Sequence, residues 1–272
     1  MERAYPNQQN GYRMRYSIVI PAYNESERII ASLDKIVAHM QKKDWDAEIL
    51  VVNDGSRDRT AEIVSSYSLR HPVVRLLENP GNRGKGYSVR HGMLKAGGEI
   101  LLFTDADLSA PIYEAEKLFD ALHHGAEVAI GSRWLNRKLQ IEKQPLPRQL
   151  FGRIFNLLLR LTLNLKEKDT QCGFKAFTRL AAEQIFPRQH IERWGFDPEI
   201  LFLSKKLGLK LAEIPVEWSH DDRSKINPVT DGMRMFMEML KVRWNSMRGI
   251  YEHTAFTMVK AGTREQNNRS LV

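Results

Sequence analysis

A rhythm in the first half of the chain constrains its fold more than any other feature. Short β-branched runs at residues 16–21 (YSIVIP), 48–53 (EILVVN), 73–78 (VVRLLE), 100–104 (ILLFT) and 128–131 (VAIG) alternate with amphipathic stretches at 25–42, 59–70, 84–96 and 112–123. Connections of this strand–helix–strand kind run right-handed and leave successive strands parallel. The expectation is therefore an α/β fold with a mostly parallel sheet flanked by helices. Ligands of such sheets bind beyond the carboxyl ends of the strands, so the loops after those strands are where chemistry belongs. The chain has 272 residues, 42% of them hydrophobic and 27% charged, enough for a sizeable core and unlike disordered, collagenous or coiled-coil chains.

The second half changes character after Arg133. A proline-punctuated basic stretch, KLQIEKQPLPR, leads into the apolar helix predicted at 149–165, which is interrupted by Arg153 and Arg160. A helix at 197–207, a strand at 210–219 and a long amphipathic helix from about 229 to 248 follow. The net charge of +8 is concentrated here: residues 133–168 hold nine Lys/Arg against two Glu, and residues 223–272 hold nine against four acids. Such segments suit an anionic partner or a solvated basic face. The aromatic interleaving of a base-stacking platform is lacking, so nucleic acid is not the expected partner. One cysteine, Cys172, excludes an intramolecular disulfide framework and points to a reducing compartment. The early residues carry no apolar run of signal-peptide length, and no window reaches 18 uninterrupted apolar residues, so a spanning helix is not expected.

Four polar clusters follow predicted strands. Pro21-Ala22-Tyr23-Asn24-Glu25 could be a binding loop or a strand end whose Asn24 caps the next helix. Asn53 to Thr60 (NDGSRDRT) offers a carboxylate on a tight turn, able to accept from a base or ribose, or to cap a helix. Asn79 to Gly86 (NPGNRGKG) is a glycine-rich basic turn opening a helix, where backbone amides and Lys85 could hold an anion; it has neither P-loop nor GxGxxG spacing. Asp105-Ala106-Asp107 lies at the mouth of the most apolar strand. Two carboxylates so close repel each other, and a hard divalent cation holding a diphosphate is the natural compensation.

The order of these clusters, with later ones, resembles the family 2 glycosyltransferases, and within them the polyprenyl-phosphate sugar transferases of the dolichyl-phosphate β-glucosyltransferase branch. The resemblance rests on SIVIPAYNE (17–25), VVNDGSRDRT (51–60), NRGKGYSVRHGM (82–93), DADLSAP (105–111), GSR (131–133), DTQCGFKAF (169–177) and GFDPEILFL (195–203), and spans roughly residues 16–245. It implies a Rossmann-like GT-A fold with C-terminal amphipathic helices. Pro21, Ala22, Tyr23 and Glu25 would then line the nucleoside pocket, with Asp54 on the base and Lys85 and Asp105 on the nucleotide sugar. Asp105 and Asp107 would form the DxD motif, Asp107 being the direct ligand of Mg2+ or Mn2+, and Arg133 would sit near phosphates. The donor would be a UDP-sugar, with a GDP-sugar the alternative. Mannosyltransferase cousins often place glutamine where this chain has Ser109, which leaves the third metal contact and the donor open.

Chemistry separates the acceptors. A hydroxyl needs a base, whereas a phosphate monoester, with a second pKa near ~6, is already a nucleophile at pH 7 and needs cations to hold it. Arg133, Arg223 and Lys225 are the candidates for that phosphate; Asp169 and Asp197 could be bases, could orient those cations, or could cap the helices after them. His220, beside Asp221 and Asp222, could join a metal site or be a loop residue without a role. A polyprenyl phosphate stays in its bilayer, so the enzyme must meet it at a surface. Phe151, Ile154, Phe155, Leu158, Leu159 and the leucines of 161–165, edged by Arg148, Arg153, Arg160 and Lys166, read as an interfacial helix; a core or dimer helix is the other reading, so an oligomer stays open. Met233, Phe236, Met237, Leu240 and Trp244 form a similar stripe. The expected organisation is an N-terminal extension (1–15), a catalytic domain (16–220, nucleotide-sugar half 16–133 and acceptor half 134–220), a basic helical segment (221–255) and a flexible tail (256–272). The expected activity is inverting, metal-dependent transfer of a hexose from a UDP-glucose-like donor to a polyprenyl or dolichyl phosphate, peripheral on the cytoplasmic face of a membrane. Transfer to a saccharide or protein, and an inactive nucleotide-sugar binder, are the competing readings.

Overall fold

The structure is a computed structural model that describes residues 15–140, 146–219 and 228–252. Its first half follows the expected alternation: β1 (Tyr16–Ala22), α1 (Ile29–Lys42), β2 (Ala47–Asn53), α2 (Thr60–Arg70), β3 (Val74–Glu78), α3 (Lys85–Lys95), β4 (Ile100–Phe103), α4 (Ala115–His123) and β5 (Val128–Ser132). After it come α5 (Leu146–Leu163), β6 (Lys175–Thr178), α6 (Arg179–Ile185), α7 (Phe196–Lys206), β7 (Leu211–Pro215) and α8 (Pro228–Met247). One seven-stranded sheet runs in the order β3-β2-β1-β4-β6-β5-β7.

The expected parallel sheet has one exception. β6 is antiparallel to both β4 and β5, while every other pairing is parallel. The sheet is buried on both faces, which is why its strands read as continuous apolar runs rather than as alternation. Ile18, Ile20, Ile49, Val51 and Leu102 join α1 and α4 in one core layer; Val19, Leu50, Val52, Leu101, Phe103 and Phe177 join α3, α6, α7 and α8 in the other. The strand β6 and helix α6 are absent from the expectation, because KAFT is only four residues long and begins with a lysine. That lysine, Lys175, is completely buried.

Helices α5 and α8 pack against each other and close one end of the second layer. The core takes Leu159 and Leu163 from α5 and Met235, Met239 and Val242 from α8. The opposite faces stay in solvent: Ile154, Leu157, Leu158 and Leu161 on α5, and Met233, Met237, Leu240, Trp244 and Met247 on α8. This corrects the interfacial reading of α5 in part, since Leu159, Leu163 and Leu165 are core residues and Phe155 packs beside them. Phe151, like Arg148, is outside the side chains described. Among the described residues no helix is long and apolar enough to cross a membrane.

Candidate active site

The loops after β1, β2, β3 and β4 meet at the carboxyl edge of the sheet, and Asp54 is the pin between two of them. Its carboxylate is buried and accepts from Asn79 Nδ2 (2.9 Å), Arg83 N (2.9 Å) and Gly84 N (2.8 Å). The anion held by the glycine-rich turn is thus the chain's own carboxylate, which corrects the reading of these amides as free for a substrate. Gly84, at φ 111°, adopts a backbone that a side chain would strain, and so lets the turn present both amides to Asp54. Asn24 caps no helix, because α1 begins only at Ile29. Held at φ 55°, it accepts from Arg57 N (2.8 Å) and ties the β1 loop to the β2 loop. Pro21 and Tyr23 are half-buried on this edge, whereas the side chain of Ala22 is in the core, leaving only its backbone to face a ligand.

Asp105 and Asp107 follow β4, beyond the buried run ILLF. Lys85 Nζ lies 2.5 Å from Asp105 Oδ1. Asp107 accepts from Ser109 N (2.9 Å) and faces Arg28 (3.8 Å), which is itself clamped by Glu25 (2.8 Å to Oε1). Burial and the facing Asp105 charge push the Asp107 carboxyl above the usual carboxylate range. Burial opposes the Lys85 charge, but Asp105 outweighs it and holds the ammonium above its ordinary pKa. Leu108, at φ 50°, carries the strain of this turn. The donor set fits a hard divalent cation, being all carboxylate oxygen on a mutually repelling pair. Among the described residues no cluster of three or more His, Cys, Asp or Glu forms a metal cage.

Two further ion pairs form the floor. Arg133, at the end of β5, forks onto Asp169 with Nε and Nη2 each at 2.7 Å, while its backbone N donates to the same carboxylate (3.0 Å). Burial resists ionisation of Asp169, yet Arg133 prevails and holds its carboxyl low. Trp218 faces the guanidinium at 5.5 Å, and Glu213 fixes the loop by accepting from Asp169 N (2.8 Å). Lys175 pairs with Asp197 and donates to Cys172 O (2.5 Å). Burial, only partly offset by Lys175 and Lys85, raises the Asp197 carboxyl. Neither aspartate is merely a helix cap: β6, not a helix, follows Asp169, and Asp197 is committed to Lys175. Cys172 is a packed residue whose thiol burial pushes up to about 12.

The structure brings Glu25, Asp54, Lys85, Asp105, Asp107, Arg133, Asp169 and Asp197 to one edge, while Arg223, Lys225 and His220 lie outside the described residues. The sequence reading missed Arg28, Lys175, Gly173, Glu213 and Trp218. Lys175 and Gly173 fall inside the quoted DTQCGFKAF segment, where a lysine opening a buried strand was the available signal. A Cβ at Gly173 would come 2.3 Å from Asp105 Oδ2 and displace that carboxylate.

A doubly covered, mostly parallel sheet with a carboxylate pair at the mouth of its central strand defines an α/β fold whose site lies at the carboxyl ends of the strands, and comparison narrows it. The backbone is similar to glucosyl-3-phosphoglycerate synthase from Mycobacterium tuberculosis (TM-score 0.60, 19% identity, 84% of this chain and 78% of that one). It is also similar to mannosyl-3-phosphoglycerate synthase from Rubrobacter xylanophilus (TM-score 0.65, 18% identity, 86% and 74%), so the fold is GT-A. The sequence profile described as Glycosyl transferase family 2 matches residues 17–186. Similar curated proteins include a dolichyl-phosphate beta-glucosyltransferase of Trichomonas vaginalis, 40% identical over 237 residues (83% of this chain, 70% of that protein). The dolichyl-phosphate beta-glucosyltransferase of Homo sapiens is 32% identical over 248 residues (86% and 76%). The chain belongs to glycosyl transferase family 2 and is a glycosyltransferase.

Proposed function

We propose that this enzyme transfers glucose from a UDP-glucose-like donor to dolichyl phosphate or a related polyprenyl phosphate, with inversion and with a divalent cation. The observation that carries the acceptor assignment is the commitment of the aspartates. Asp169 and Asp197, the candidate bases, are 1% and 4% exposed and each is already paired with a cation, Arg133 and the buried Lys175, so neither is placed to take a proton from a hydroxyl. A phosphate dianion needs no such base. In this reading Asp169 and Asp197 are positioning residues: they hold Arg133 and Lys175, and Arg133 turns its remaining donors toward the acceptor phosphate. Arg223 and Lys225 belong to the same proposal by charge alone.

The donor reading has separate support. Lys85, Lys175, Arg133 and Arg28 face Asp105, Asp107, Asp169 and Asp197, so the site's own charges are closely matched. A departing nucleoside diphosphate adds negative charge beyond what this set already balances. A divalent cation, Mg2+ or Mn2+, on Asp105 and Asp107 supplies that stabilisation. Solved structures of the glucosyl-3-phosphoglycerate synthase contain Mn2+ and UDP, which favours a UDP-sugar over a GDP-sugar. Asp54 shapes the nucleoside pocket by fixing the 79–84 turn, with Pro21, Tyr23 and the backbone of Ala22 at its rim.

The docking face is the exposed side of α5 and α8. Its apolar side chains stand beside exposed Arg153, Arg234, Lys241, Arg243 and Arg248, the composition of a face that lies on an anionic membrane. The cytoplasmic face is part of this proposal. The test is mass spectrometry of products after the purified protein meets UDP- and GDP-sugars and, separately, polyprenyl phosphate, a free saccharide and a peptide. Hexosyl polyprenyl phosphate, lost in EDTA and restored by Mg2+ or Mn2+, is expected; a glycosylated saccharide or peptide, or donor hydrolysis alone, overturns the reading.

A further inference from the structure

We propose that Lys85 is the chain's own counter-ion for the Asp105/Asp107 pair, and that it makes cation and nucleotide diphosphate bind together rather than singly. This rests on the metal-dependent reading above. Lys85 Nζ sits 2.5 Å from Asp105 Oδ1, an oxygen that a divalent cation held by the pair would also use. Two cations cannot share it at that distance, so one has to give way. On its other side Asp105 lies against the 171–174 loop, where a Cβ on Gly173 would come 2.3 Å from Asp105 Oδ2. Asp107 is anchored by Ser109 N (2.9 Å). The mobile partner is the lysine, whose four-carbon stem can swing while the carboxylates stay.

A displaced ammonium is not abandoned in this site. Trp194 and Phe196 face it at 5.6 and 5.8 Å, and Asp197 is the next carboxylate to feel its charge. A diphosphate arriving beside Asp105 gives the ammonium a better anion than either. A cation alone must therefore evict Lys85 without compensation, and a diphosphate alone must compete with Asp105 for it. Together each removes the other's obstacle, which is a coupling free energy between two ligands.

The experiment is titration of Mn2+, followed by loss of its free-ion paramagnetic resonance signal, with and without UDP, for wild type, Lys85→Met and Lys85→Gln. In the wild type UDP is expected to raise Mn2+ affinity by about tenfold or more, and Mn2+ to raise UDP affinity by the same factor. In both variants Mn2+ alone is expected to bind several-fold more tightly, and the gain from UDP to shrink toward none. Unchanged or weaker binding of Mn2+ alone in the variants, or an undiminished gain from UDP, overturns the inference while the wild-type result keeps the metal-dependent reading. A wild type that binds no Mn2+ in either condition overturns both. The Gln variant, uncharged but still polar, guards against a packing defect peculiar to Met.

Discussion

Asp54 illustrates how a residue serves a pocket without reaching into it. Its three acceptor contacts hold the turn that delivers Lys85, so truncation strands the amides of Arg83 and Gly84 and leaves Asn79 Nδ2 with Ser88 Oγ. Asp54→Ala is expected to cost about 2–4 kcal/mol in urea unfolding and to weaken UDP binding in calorimetry. Unchanged nucleotide affinity would remove Asp54 from the pocket's support. Asp107→Ala is a different kind of change, since its carboxylate, raised by burial and by the facing Asp105 charge, is one of a mutually repelling pair. It is expected to lower turnover by at least about a hundredfold while leaving the melting temperature near wild type; near-normal turnover would end the metal role of the pair. Acidic residues after apolar strands were legible in the sequence because few structural reasons place two carboxylates at a strand mouth. Lys175 was not, because a buried lysine becomes intelligible only once Asp197, 22 residues on, is brought against it.

Elements were legible where periodicity was long. The βα alternation and α8 match expectation to within a few residues, while α1 starts later because residues 24–28 serve the site rather than the helix. The antiparallel β6 was not, since the direction of a four-residue strand is decided by tertiary pairing with β4 and β5. Both α5 and α8 are apolar on two faces, and sequence alone could not say which face the core would take. The basic residues beside these apolar faces differ in their duties: Arg160 donates to Lys166 O (3.1 Å) and so has a structural one, whereas Arg153 and Arg243 are exposed. Each basic residue near an anionic surface contributes ~1 kcal/mol. Arg153→Glu with Arg243→Glu is therefore expected to lower sedimentation with anionic liposomes by more than about tenfold at low salt and to lower activity on a long polyprenyl phosphate, sparing a short soluble analogue. Equal loss on both acceptors, or no sedimentation of the wild type, would return this face to an ordinary surface or a contact between copies.

At the scale of the whole molecule, the far end of α8 is fastened to the second core layer by Glu199, which is fully buried and accepts from His190 N (3.0 Å), Ile191 N (2.8 Å) and Tyr251 Oη (2.8 Å). Burial, only partly offset by these donors, pushes its carboxyl up to about 7. The folded protein therefore keeps a proton that the unfolded chain releases, so this contribution is full below about pH 4.5 and is lost as pH rises to about 7. It amounts to about 3 kcal/mol. Denaturation across that range should have a component falling with pH that Glu199→Gln removes; an unaltered slope would contradict it. The same fold brings two aspartate–cation pairs beneath a carboxylate pair, and the central claim is that this arrangement lets a lipid phosphate attack the donor directly, without base or covalent intermediate. The measurement that tests it most directly is the anomeric configuration, by NMR, of the sugar phosphate formed from UDP-glucose and polyprenyl phosphate by the purified enzyme. A β-linked hexosyl phosphate is predicted, and an α-linked product would contradict single displacement.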